Sequence, residues 1–266
     1  FSAVGAATFD AYVRSWTVVL AILCGLLVLL GVYHVRALPA GGGAAERHSL
    51  RDGLSGLKEV VGAFFQKKHI WYYLGFIILY RLGEGFVMKI VPLFLKADTA
   101  SGGLGLTNQQ IGLYYGTFGA GAFLLGSLLA GYYIAHRGLR RTLFILCCIF
   151  NIPFAVYALL AWLQPQSMWI VGGGIVLEYF GYGFGFVGLT LFMMQQVAPG
   201  RHQMAHYAFA SGIMNLSVML TGAVSGYLSD ALGYGMFFLA VMLATVPAFL
   251  VTWFVPFTYD DKPNDK

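Results

Sequence analysis

Seven long apolar stretches alternate with short polar clusters along the chain, at 16–35, 70–95, 109–135, 142–163, 168–197, 206–229 and 235–256. Each supplies the ~20 apolar residues that carry a helix across ~30 Å of hydrocarbon. The pattern predicts an all-α membrane protein with seven transmembrane helices. Five of the stretches have interiors free of Asp, Glu, Lys and Arg. The exceptions are Arg81, Glu84 and Lys89 in the second stretch and Glu178 near the middle of the fifth. Charge inside a bilayer is expensive, so these positions are functional candidates.

The spacing of the stretches predicts an organisation of one helix plus six. Residues 1–38 hold the first transmembrane helix, 39–69 a cytoplasmic linker, 70–256 the six remaining helices and 257–266 a cytoplasmic tail. Within the linker, Leu50, Leu54, Leu57, Val61, Phe64 and Phe65 recur at helical spacing, while Arg51, Asp52, Lys58 and Glu59 take the other face. That predicts an amphipathic helix at the membrane interface, with Ser49-x-x-Asp52 capping its start. The six later spans divide at 164–167 into two triplets, 70–163 and 168–256. Three spans are an odd number, so the second triplet enters from the opposite side, as an inverted-topology repeat does. Each triplet carries its charge in its first helix, about ten to fourteen residues in, which at ~1.5 Å per residue is near mid-membrane.

Composition agrees with the pattern: 59% of residues are hydrophobic, 10% are charged and 35 are glycine, which lets membrane helices approach closely. The net charge of +5 does not point to nucleic acid, because the cations sit in alternate loops rather than along one stripe. Arg36, Arg47, Arg51, Lys58, Lys67 and Lys68 fall in one loop, Arg137, Arg140 and Arg141 in another and Arg201 in a third. The positive-inside rule then places Phe1 outside the cytoplasm and Lys266 within it. Cys24, Cys147 and Cys148 lie in apolar spans without metal-ligand spacing and read as packing residues. The chain opens at Phe1 without a signal-like segment, which suggests a piece of a longer protein.

Arg81, Glu84 and Met88 share a helix face, with Lys89 towards its edge. The i, i+3 spacing lets Arg81 and Glu84 pair, either to lock packing or to serve a transport pathway. Glu178 has no partner on its own helix and must find one elsewhere or stay protonated, which makes it a natural proton carrier. By depth, Arg81 is its nearest counter-charge. Tyr182 and Asn215 complete the candidate substrate and proton pathway. Gly174, Gly181 and Gly185 form one stripe with Glu178, suited to close helix packing or to a hinge. Gly112-x-x-x-Gly116 and Gly222-x-x-x-Gly226 read as helix contacts. The six histidines sit mainly at membrane boundaries without paired-ligand spacing, and Ser217 and Ser225 lack a nucleophile elbow. No metal, no cofactor and no enzyme activity are therefore expected.

The turn from Gly131 to Arg141 resembles the cytoplasmic signature of the major facilitator superfamily, with Gly131, Gly138, Arg140 and Arg141 at the matching places. Ala135 replaces the signature's aspartate. Tyr80-Arg81-Leu82-Gly83-Glu84 resembles the tyrosine-lysine-leucine-glycine-aspartate stretch of the AmpG muropeptide permease family, each charge keeping its sign. Glu178 with Gly183 and Gly185, His206 to Ser211, Gly222 to Tyr227 and Gly233-Tyr234 continue the likeness in order over about 70–256. The resemblance implies a major-facilitator-type half bundle of two inverted three-helix repeats, importing cell-wall-derived muropeptides with protons. It also implies a missing amino-terminal half, a lipid bilayer and a small solute as partners, and a bacterial inner membrane as location. Related acetyl-coenzyme A transporters share much of the pattern, so an acetyl-coenzyme A-type or sugar transporter of the same fold is an alternative reading. A seven-helix receptor is another, and a membrane enzyme acting on lipid a third.

Overall fold

The computed structural model describes the backbone of residues 3–38 and 50–259 and the side chains of 10–38 and 56–259. The expected cap at Ser49-x-x-Asp52 and most of the tail lie outside the described residues. The chain divides into two compact units, Phe1–Asp52 and Gly53–Lys266. The first unit is built on α1 (Ala3–Ala37), whose described side chains are all exposed. Ser15 and Thr17 return their hydroxyls to the carbonyls of Ala11 and Val13, so neither leaves a donor facing hydrocarbon.

The second unit is all helical. It begins on α2 (Leu50–Phe65) and continues through α3 (Ile70–Tyr80), α4 (Leu82–Lys96), α5 (Asn108–Arg137), α6 (Leu139–Leu163), α7 (Met168–Val197) and α8 (Gln203–Trp253). Among the described residues, five helices are long and apolar enough to cross a membrane: Asp10–Ala37 within α1, and α5, α6, α7 and α8. The 51-residue α8 is two helical legs, because Gly233 takes φ 71° and ψ 161°. That left-handed φ is open to glycine at little cost.

The apolar stretch expected as one helix over 70–95 is interrupted at Arg81, which has φ −100° and ψ 8°. Neither proline nor glycine stands at the break; the interruption accompanies burial of an ion pair. It gives α4 an N-terminus inside the bundle, with Glu84 in its first turn, where the helix dipole favours a carboxylate. Ser217 of α8 donates to the Ile78 carbonyl over 3.0 Å, one turn before the break. At the far end of α4, Leu104 and Leu106 return amides to Phe94 and Leu95, and a Thr107–Gln110 capping box starts α5.

Glycines set how closely α7 approaches its neighbours. A Cβ on Gly183 would meet the Phe123 carbonyl of α5, and one on Gly181 the Ile149 carbonyl of α6. Gly126 of α5 has the Phe180 carbonyl at the same place. So α7 is clasped on both sides at backbone contact, which only glycine permits. At the α2 end, Phe64 is buried against His206 and Phe209 of α8. Lys67 donates to the carbonyls of Val197 and Pro199 at 2.5 and 2.7 Å, and burial pulls its pKa below the ordinary lysine value.

Candidate functional site

Two helix irregularities aim polar groups at one interior cavity. The break at Arg81 turns Glu84 and Met88 inward on α4, and a 3₁₀ turn at Ile152–Phe154, carrying Pro153, does the same for Phe154 and Tyr157 on α6. Gly181 sits on the Ile149 carbonyl and the Pro153 ring, so Glu178, one turn earlier on α7, is brought to Tyr157. Tyr115 of α5 and Tyr179 and Tyr182 of α7 close the remaining walls. The cavity holds about 40 Å³, room for water and protons.

Arg81 and Glu84 form an ion pair through both guanidinium edge nitrogens, and each residue is only 4% exposed. The Phe186 ring lies 5.3 Å from the guanidinium carbon, a cation–π contact. A buried cation is costly without such compensation. Glu178, 6% exposed, accepts a hydrogen bond from the Tyr157 hydroxyl at 2.8 Å. The expected counter-charge, Arg81, is engaged by Glu84 instead. Tyr157 is the residue that reading the sequence missed, since an aromatic in an apolar span looks like packing. Tyr182 lines the same cavity as Glu84 and Glu178. Two carboxyls from different helices thus line one low-dielectric cavity, together with tyrosine phenols.

The other expected residues scatter. Met88 lines the cavity though half exposed, while Lys89 is exposed with its stem against Gly222 of α8. Asn215 is exposed and is not among the cavity-lining residues. Gly174, Gly181 and Gly185 meet Val156, Ile149 and Phe150 of α6, one stripe against one helix. Gly112, Gly116 and Gly226 instead have open space where a Cβ would stand, so among the described residues of this unit no helix closes on them. In the signature turn, Gly138 adopts φ 78° and ψ 148°, Arg140 and Arg141 are exposed, and Gly131 faces open space.

A model of the Major Facilitator Superfamily matches residues 74–266. The anhydromuropeptide permease of Escherichia coli (strain K12) is 26% identical over 188 residues, covering 71% of this chain and 37% of the permease. A Rickettsia bellii protein bearing the name transporter AmpG 2 is 24% identical over 195 residues, covering 72% of this chain and 46% of that protein. The chain spans less than half the length of these relatives.

Proposed function

The chain belongs to the Major Facilitator Superfamily, and from that premise we propose that it forms the carboxyl-side half of a proton-coupled importer of cell-wall-derived muropeptides. The observation that carries the reading is the cavity where Glu84 and Glu178, from two helices, are buried among tyrosine side chains. A carboxyl so placed can gain and lose a proton without leaving the membrane core, which is what coupling to a proton gradient requires. Muropeptides enter because the Escherichia coli relative is a permease for anhydromuropeptides.

In this proposal the chain has seven spans: α1, the broken pair α3 and α4, then α5, α6 and α7, and the two legs of α8. The last six form two triplets related by an inverted repeat, with Arg81 and Glu84 in the first helix of one and Glu178 in the first helix of the other. The meeting of Glu84 and Glu178 at a single cavity supports that symmetry. The amino-terminal half of the transporter supplies the opposite wall of the solute site, the membrane is the bacterial inner membrane, and the carboxyl terminus is cytoplasmic. Glu178 carries the coupling proton, because the guanidinium of Arg81 is already committed to Glu84.

The test uses the transporter containing this chain. Glu178→Gln keeps the shape but cannot release a proton, so accumulation driven by an imposed pH gradient is abolished while muropeptide exchange without a gradient persists. Accumulation at the normal rate in Glu178→Gln would sink the assignment. Glu84→Gln instead weakens solute handling in both assays, since it frees Arg81.

A further inference from the structure

The charged side chains within the membrane-spanning interior of the Gly53–Lys266 unit are Arg81, Glu84, Lys89 and Glu178. Arg81 and Glu84 cancel each other as a buried pair. Lys89 does not share that compensation. Its stem lies along the seam between α4 and α8, with Cγ and Cε 3.0 and 3.3 Å from the place where a Gly222 Cβ would stand. The absence of a side chain at Gly222 therefore makes the shelf on which Lys89 rests. Its ammonium is exposed and, among the described residues, has no hydrogen-bond or ion-pair partner. An unpaired cation within an apolar span is costly in lipid, and an anionic partner would offset that cost. Its neighbour Met88 lines the cavity that holds Glu84 and Glu178.

We propose that Lys89 is the carboxylate-binding residue of the solute pathway, and that Lys89 and Glu178 together enforce the movement of one proton with one solute carboxylate. The inference rests on the transport reading and deepens it. With the Arg81–Glu84 pair neutral, the empty site with Glu178 ionised carries no net charge, because Lys89 balances Glu178. Adding a proton alone leaves one positive charge, and adding a carboxylate alone leaves one negative charge. Adding both restores neutrality. Reorienting a residual charge through a low-dielectric core is slow, since charge is costly there. Only the empty and doubly loaded sites therefore reorient readily, and neither the proton nor the solute crosses alone. The groups around Glu178 leave this ledger intact: Tyr115 on α5, Tyr157 on α6 and Tyr179 and Tyr182 on α7 are neutral phenols, and Glu84 on α4 is held by Arg81.

The probes are an anhydro-disaccharide bearing a single amino acid, hence one free carboxylate, and the same compound with that carboxylate converted to a carboxamide. Both are offered under an imposed pH gradient to the transporter containing this chain. Lys89→Met keeps the stem on Gly222 and removes the charge. It is expected to lose roughly tenfold or more of the accumulation of the acid, a coupling of ordinary size, while accumulating the amide at least as well as the parent does. Lys89→Arg keeps the charge and should retain preference for the acid. Unchanged discrimination in Lys89→Met overturns the proposal. So does equal loss of both probes, which would mean that Lys89 pairs with a carboxylate of the protein itself. If the unsubstituted transporter accumulates neither probe, the transport reading fails, and this inference with it.

Discussion

The two polar clusters of the helical unit solve opposite problems. At the cavity, Arg81, Glu84 and Glu178 are almost wholly buried, and each is held by one or two specific partners. At the α2 end, Glu59 meets Arg201 and His202 across 3.2 and 3.7 Å with its side chain more than half exposed, and Lys67 anchors to two backbone carbonyls. Water at that end lets charges remain unpaired at little cost. In the interior an unpaired charge is costly, so each group needs its partner and depends on the helix break that positions it. Removing one partner should therefore hurt in proportion to burial, and graded substitutions can break or sharpen that contrast.

The largest effect is expected at the buried ion pair. Arg81→Met leaves Glu84 buried without its cation, and breaking such a pair costs about 3–5 kcal/mol. Thermal unfolding in detergent should register it as a marked loss of folded protein. Pairing it with Glu84→Leu should recover most of the loss, because an apolar pair needs no compensation. Failure of the double variant to recover would mean that the pair also fixes the break at Arg81.

Next come the glycines of α7. Gly183→Ala forces a methyl onto the Phe123 carbonyl, and overpacking of this kind costs about 1–3 kcal/mol. Gly226→Ala meets open space and should be neutral or slightly favourable within this chain, since alanine prefers the helix. A melting comparison of the two separates glycines that seat helices from those that do not. Equal effects would contradict the close approach of α7 to α5.

These cases also mark how far the sequence could be read. Intramembrane charge singled out Arg81, Glu84 and Glu178, because its cost is a property of residue type and depth. The glycine stripe of α7 was visible for the same reason: only small residues allow backbone contact. Tyr157 was not visible, since its hydroxyl gains meaning only when Gly181 draws α7 against α6. The break at Arg81 was hidden because its conformation follows from tertiary burial of the pair. Gly112, Gly116 and Gly226 carry the same small-residue spacing as true contacts, yet among the described residues of the helical unit no helix meets them. Spacing states what could approach, and packing decides what does.

A smaller effect is expected where Lys67 is anchored. Lys67→Met removes hydrogen bonds to the Val197 and Pro199 carbonyls, which face partly towards water and can be solvated in its absence. The loss should be about 1 kcal/mol, the net worth of a typical intramolecular hydrogen bond. Hydrogen exchange at the α7–α8 connection would report it as local opening, with the cavity amides unchanged. Faster exchange at the cavity would mean that the two clusters are coupled.

The smallest effect should come from Arg201→Gln. Its guanidinium reaches Glu59 at 3.2 Å, but the two side chains are 82% and 58% exposed. Both ions remain hydrated, and holding two long side chains together offsets much of the attraction. Exposed pairs of this kind contribute about 0.2–1 kcal/mol or less, and salt screens them. His202 also stands 3.7 Å from Glu59, so the carboxylate keeps a polar neighbour after the substitution. The melting temperature of Arg201→Gln should therefore stay close to that of the parent at low salt, and any difference should vanish at about 1 M salt, where the Debye length is ~3 Å. A loss that persists at high salt, comparable to that of Arg81→Met, would show that the α2 end depends on its charges as the buried cavity does.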